Sequence, residues 1–268
     1  MPSLLLALPL LVIALLLGQP AWRAWRQRQL ATQPFPAFWR RVLQRRMPLF
    51  RRLPPDLQQH LRQRMQAFLA EKAFIGCRGL EVTEEMRVLI AAQACLLVLQ
   101  RPLSELDRVR QILVYPGAFV VRRRHTDAAG VVSEANEALS GESWHEGQVI
   151  LSWDDTLASA AEPHDGYNVV VHEFAHQLDD ALGLSTDLEA EAPSGDWART
   201  VGAAWRELVE AVDRGEAPFL DPYGATAPEE FVAVVSEAFF EQGPELAQAH
   251  PALYEAFSRL YRLSPHVW

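Results

Sequence analysis

Residues 169–180 read "VVVHEFAHQLDD", and the fold turns on how this stretch is read. Three β-branched residues run into His172-Glu173-x-x-His176. Histidines at i and i+4 lie one turn apart on the same helical face, so both imidazoles can reach one tetrahedral metal ion. Glu173 sits beside that face and can serve as general base toward a water at the metal. Zinc brings the pKa of such a water close to neutrality. Taken alone, the five-residue pattern also fits an ordinary helix that carries two histidines. The flanks argue for burial, since Val169–Val171, Phe174, Ala175 and Leu178 are apolar. Two histidines and a glutamate in such a setting need a strong compensating interaction, because an unpaired buried charge is costly.

A catalytic zinc needs a third protein ligand, and "YGATAPEEFVAVVSEAFF" (residues 223–240) offers candidates. Glu229, Glu230 and Glu237 sit on or at the start of an otherwise apolar helix. Glu230 and Glu237 are seven apart and share a face with Val234, which points that stripe inward. Glu230 is the expected third ligand, and Glu237 is expected to support the ligands. Glu229 is read as a solvated acid favoured by the helix dipole. Asp179, three residues after His176, is expected to accept a ligand imidazole's free N–H and fix its tautomer. Tyr223 precedes Glu230 in a loop, where its phenol can either reach an oxyanion or simply pack. His125, His145 and His164 lack partners at ligand spacing and read as surface residues. The chain has neither a Gly-rich phosphate loop nor a G-x-S-x-G elbow.

The 268-residue chain is long enough for a large core, and its 49% hydrophobic and 22% charged content is that of a folded globular protein. The net charge of −9 conceals an asymmetry. Up to Arg64 there are eleven arginines and one acid, Asp56; from Met65 onward there are fourteen basic and thirty-three acidic residues. An acidic body argues against direct nucleic-acid binding. The two cysteines, Cys77 and Cys95, have no C-x-x-C spacing and read as small buried hydrophobes in a reducing compartment.

"LLLALPLLVIALLL" (Leu4–Leu17) is an unbroken apolar run, and no charge precedes Arg23. About 22 helical residues at ~1.5 Å each reach ~33 Å, enough to span a bilayer's hydrocarbon core. No basic residue precedes the run and "GQPAW" is a poor cleavage site, so an uncleaved anchor is favoured over a signal peptide. Arg23, Arg26 and Arg28 then place the domain on the cytoplasmic side of the inner membrane. The expected organisation is an anchor at 1–22, a basic Pro/Trp-containing juxtamembrane arm at 23–54, and a catalytic domain at 55–268. Soluble cytoplasmic, peripheral and secreted forms are the alternatives.

Within the body, Asp56 is read as the N-cap of a helix after Pro54-Pro55, and Thr83 as the N-cap of a buried helix that runs to Pro102. "QILVYPGAFVVRRR" reads as strand, Pro-Gly turn and strand, and "GQVILSWDD" as an edge-like strand after the polar "SGESWHE". "PSGDWARTVGAAWRELVEAVDRG" and "PEEFVAVVSEAFFEQGP" are helices, and "PELAQAHPALYEAFSRLYRL" a last one. The fold class is α+β, mostly helical with a small sheet.

At "FLAEKAFIGCRGLEVTEEMRVLIAAQACLLVL", "ILVYPGAF", "LSWDD", "GYNVVVHEFAHQLD" and "EEFVAVVSEAFF" the chain resembles the Mlc titration factor A family and its zinc-peptidase relatives, in order over roughly residues 55–260. The resemblance implies a zincin-like fold, with His172, His176 and Glu230 as zinc ligands, Glu173 as catalytic base and Tyr223 as an auxiliary site residue. It further implies aminopeptidase-like activity on peptides, a regulatory role in sugar uptake and binding of a glucose-responsive transcriptional repressor. The apolar leader departs from the cytoplasmic form best known in that family. The main expectation is a membrane-held zinc peptidase. The rival is a binding protein that sequesters a repressor, its peptidase activity secondary.

Overall fold

The computed structural model describes Trp22, Trp25–Gln27, Gln29, Leu30 and residues 32–126, 132–139, 141–144, 147–190 and 194–268. The expected anchor at 1–22 lies outside the described residues apart from Trp22. No described helix is long and apolar enough to cross a membrane.

Helices α1 (Ala37–Arg46) and α2 (Pro48–Arg52) occupy the basic arm, kept short by its prolines. Their inward faces nevertheless join the core, with Val42, Leu43, Met47, Leu49, Phe50 and Leu53 all buried. The core therefore reaches back past residue 55. Helix α3 (Pro55–Glu71) takes Pro54, not Asp56, at its N-cap position. Proline's fixed φ suits the first turn, and Asp56 inside that turn still meets the helix dipole. After β1 (Ala73–Gly76), Thr83 caps α4 (Glu84–Ala94), its hydroxyl accepting from Met86 N–H at 3.3 Å. This helix is buried almost all round but stops at Ala94, well before Pro102; buried turns take over from Cys95.

Strands β2 (Gln111–Tyr115), β3 (Phe119–Thr126), β4 (Val132–Leu139), β5 (Gly141–Trp144) and β6 (Gln148–Ser152) follow. One sheet has the order β1-β2-β6-β5, its first three strands parallel and β5 antiparallel to β6. The Pro-Gly turn does not fold β3 back onto β2. Both sides of β2 are taken by β1 and β6, and β3 pairs with β4 in a separate antiparallel hairpin. Nor is β6 an edge strand. Its apolar run, with Val149 and Leu151 fully buried, suits a central position, and β5 from the polar "SGESWHE" forms the edge.

Ser152 caps α5 (Trp153–Ala161), and Asn168 caps α6 (Val169–Leu182), its Oδ1 accepting from Val171 N–H at 3.0 Å. Gly183 ends α6 in the left-handed conformation, φ +67°, that a side chain would resist. Then come the amphipathic α7 (Gly195–Asp213), a 3-10 turn at Pro222–Ala225, α8 (Pro228–Glu241), α9 (Gly243–Ala249) and α10 (Pro251–Tyr261). The last two were expected as one helix; Pro251 cannot donate its backbone hydrogen bond, and the break falls at His250. Helix α8 is buried from Phe231 to Glu241. It lies along α6 on one side. On the other, Phe239 and Phe240 meet Tyr261 at ring distances of 5.3 and 4.9 Å. The architecture is α+β, predominantly helical with a small sheet, as expected. Cys95 is buried, its thiol pKa pushed up by burial, whereas Cys77 is only half-buried; both are free.

Candidate metal centre

Helices α6 and α8 together build one cluster. His172 and His176 project from one face of α6 as their spacing requires, and Glu230 enters from the first turn of α8. His172 Nε2 lies 3.2 Å from His176 Nε2 and 3.0 Å from Glu230 Oε2; His176 Nε2 lies 3.4 Å from the same oxygen. Zinc with bonds of about 2.0–2.1 Å in a tetrahedron holds its ligand atoms about 3.3 Å apart. The three donor atoms already have that spacing, and their chemistry, two imidazoles and a carboxylate, is that of a catalytic zinc site. The three side chains retain 13–16% of their surface, so the cluster opens to solvent on one side. Among the described residues this is the one group of three such side chains able to hold a metal ion.

Glu237 orients His172. Its Oε1 accepts from His172 Nδ1 at 2.7 Å, which fixes the ring with Nε2 turned toward the cluster. Its Oε2 accepts the Asn168 backbone N–H. Burial disfavours the charged His172 ring, but the hydrogen bonds it donates to Glu230 and Glu237 win and hold its pKa well above the ordinary imidazole value. Burial likewise opposes ionisation of Glu230, yet the two imidazoles hold it below the usual carboxylate range.

Glu173 is almost wholly enclosed, and its Oε2 has no hydrogen-bond partner. Burial pushes its pKa up to about 7 against the opposing pull of His172 and His176. A carboxylate with one free oxygen and a near-neutral pKa suits proton transfer at physiological pH. The Tyr223 ring lies 6.0 Å from that of His172 and is 43% exposed, so its phenol stands at the open side. It is carried on the 3-10 turn, where Asp221 Oδ1 accepts the Tyr223 N–H at 2.8 Å. The next residue, Gly224, packs so tightly that a Cβ would come within 3.3 Å of Val234 and Leu208. That close approach seats the turn on α8.

Among the described hydrogen bonds, Asp179 is engaged with the following loop and not with a histidine. It lies in the last turn of α6, and its Oδ1 accepts the Ser185 backbone N–H at 2.8 Å, bracing the loop that follows. Glu229 is exposed at the helix start, and His164 is on the surface beside Arg52. His145 and the His125 side chain lie outside the described residues. Two residues escaped the sequence reading: Asn168, and the buried Glu241, whose Oε1 accepts from Asn168 Nδ2 at 2.9 Å. An Asn directly before "VVVH" and a second acid four residues after Glu237 were the available signals.

Residues 22–262 match the family described as glucose-regulated metallo-peptidase M90. The chain belongs to the M90 family. Among its relatives, an uncharacterized protein of Synechocystis sp. is 39% identical over 99% of this chain and 98% of its own length. Mlc titration factor A of Klebsiella pneumoniae is 34% identical over 91% of both chains. The Mlc titration factor A of Serratia proteamaculans is 35% identical over 82% of this chain and 85% of its own. The M90 assignment makes the protein a member of a metallopeptidase family with a regulatory association, and the His172–His176–Glu230 cluster fits the metal such a family requires.

Proposed function

We propose that the protein is a zinc-dependent peptidase of zincin-like arrangement, with His172, His176 and Glu230 as ligands, acting as an aminopeptidase-like enzyme on peptides. The observation that carries this reading is the donor triad at zinc spacing beside a buried glutamate with a free oxygen. Bound there, zinc would supply Lewis acidity toward water and toward the scissile carbonyl. Glu173 takes the proton of the attacking water on its carboxylate and returns it to the leaving amine. Tyr223 donates its phenol hydrogen to the carbonyl oxygen as charge develops there. Glu237 keeps His172 in one tautomer and one orientation. The edge strand β5 packs against α6, so an extended peptide can add to it and lie across the cluster. The test is Glu173→Gln: retained zinc with hydrolysis lost supports the mechanism, and retained turnover contradicts it.

A second activity is suggested by the relatives' name, which ties those proteins to titration of Mlc. In that reading this chain also binds a transcriptional repressor, and Glu173→Gln retains that binding while losing hydrolysis. We also propose that residues 1–22 anchor the protein in the inner membrane with the catalytic domain cytoplasmic. A reporter fused after Trp268 checks this: activity in the cytoplasm agrees, and activity confined to the periplasm reverses the topology.

A further inference from the structure

We infer that Asn168 and Glu241 form a register lock between the two ligand-bearing helices, and that zinc affinity depends on it. The inference rests on the zinc reading above. It begins with three glutamates, Glu230, Glu237 and Glu241, that α8 turns toward α6. Each meets a different part of α6. Glu230 approaches both histidine Nε2 atoms, and Glu237 holds His172 Nδ1 and the Asn168 backbone. Glu241 accepts from the Asn168 side chain at 2.9 Å. Asn168 is the hinge of this arrangement, because its Oδ1 simultaneously caps α6 through Val171 N–H. One side chain thus fixes where α6 begins and where α8 lies against it.

Such a lock has a physical purpose. The apolar residues of α8 that flank these glutamates, Ala233, Val234 and Ala238, are small and similar, and all are buried. Apolar attraction is non-directional and distinguishes poorly between neighbouring registers on such a surface. A slip of one residue moves a helix by about 1.5 Å along its axis. Zinc sites tolerate only about 0.2 Å in a bond length. Directional hydrogen bonds at the far end of α8 therefore hold Glu230 within reach of the two histidines. Glu237 and Glu241 are 3% and 1% exposed, a costly placement for two carboxyl groups that packing alone does not require. Asn168 and Glu241 touch neither the reacting atoms nor the donor triad; they are positioning residues.

The experiment measures zinc affinity of the full chain by chelator competition, with near-UV circular dichroism confirming the fold of each variant. Glu241→Leu removes the acceptor and is expected to weaken zinc binding about 10–100-fold. Glu241→Gln keeps an oxygen for Asn168 Nδ2 and is expected to restore wild-type affinity. Asn168→Ser keeps a cap oxygen for Val171 but carries no group long enough to reach Glu241, and is expected to weaken zinc binding as Leu does. It also decides the matter should the Leu variant fail to fold. Zinc affinity unchanged in Asn168→Ser, or weakened equally in Glu241→Gln and Glu241→Leu, overturns the lock. Wild-type protein without zinc affinity would instead overturn the zinc reading itself, so the two failures are distinguishable.

Discussion

The α6–α8 pair and the α1–α2 arm handle charge in opposite ways. On α8, Glu237 and Glu241 are buried within an apolar helix and bonded to α6. On α1, Arg40, Arg41, Arg45 and Arg46 face solvent while Val42 and Leu43 fill the core. A buried carboxyl group, charged or protonated, must be held by partners, and those partners define a site. An exposed charge only keeps its helix's outer face wet and contributes little to stability. The difference predicts that polar changes on α6 and α8 act on function, whereas on the arm only apolar changes matter.

The sharpest way to break this contrast is His176→Ala. It removes a proposed zinc ligand, and peptide hydrolysis and zinc content measured together should both fall to background. Next comes Leu43→Ala in the arm. Leu43 is fully buried, and its truncation should cost about 2–5 kcal/mol in denaturant unfolding. A cost near zero would show that the arm is not part of the core. Tyr223→Phe should lower kcat by roughly 100-fold with little change in KM or stability, which steady-state kinetics will read.

A smaller effect is expected from pH. Burial first, reinforced by Asp165 and Glu237 and opposed by the Asn168 hydrogen bond, pushes Glu241 up to about 9. Its folded form therefore keeps a proton that the unfolded chain gives up at an ordinary carboxylate pKa. This contribution to stability is fully present below the unfolded pKa and is lost as pH rises toward 9. Glu241→Gln should flatten that decline in thermal melts across the same window. The smallest effect belongs to Arg41→Gln on the exposed side of α1, within about 0.5 kcal/mol of wild type in the unfolding assay.

Much of the centre could be read from spacing alone. Two histidines at i, i+4 and a glutamate on the inward stripe of a second apolar helix are local patterns, and all three converge in the structure. Asp179 shows the limit of that logic. Helical spacing put it on the face of His172 and His176, and spacing alone could not show that its carboxylate also accepts the Ser185 N–H of the loop beyond the helix. The sheet was legible as strands but not as pairings. Hydrogen-bond partners are set by strands far apart in sequence, so the Pro-Gly turn between β2 and β3 implied a hairpin that β1 and β6 pre-empt. The arm's contribution to the core was hidden because its arginines and prolines dominate the composition, while the few apolar residues between them do the packing.

The central claim, that the centre is a zinc site whose chemistry runs through Glu173, is tested most directly by Glu173→Gln. Zinc content by metal analysis and turnover of a peptide library should be measured on the same purified sample. The account predicts full zinc occupancy with hydrolysis reduced at least ~100-fold. Wild-type turnover in that variant, or no zinc in either protein, would contradict it.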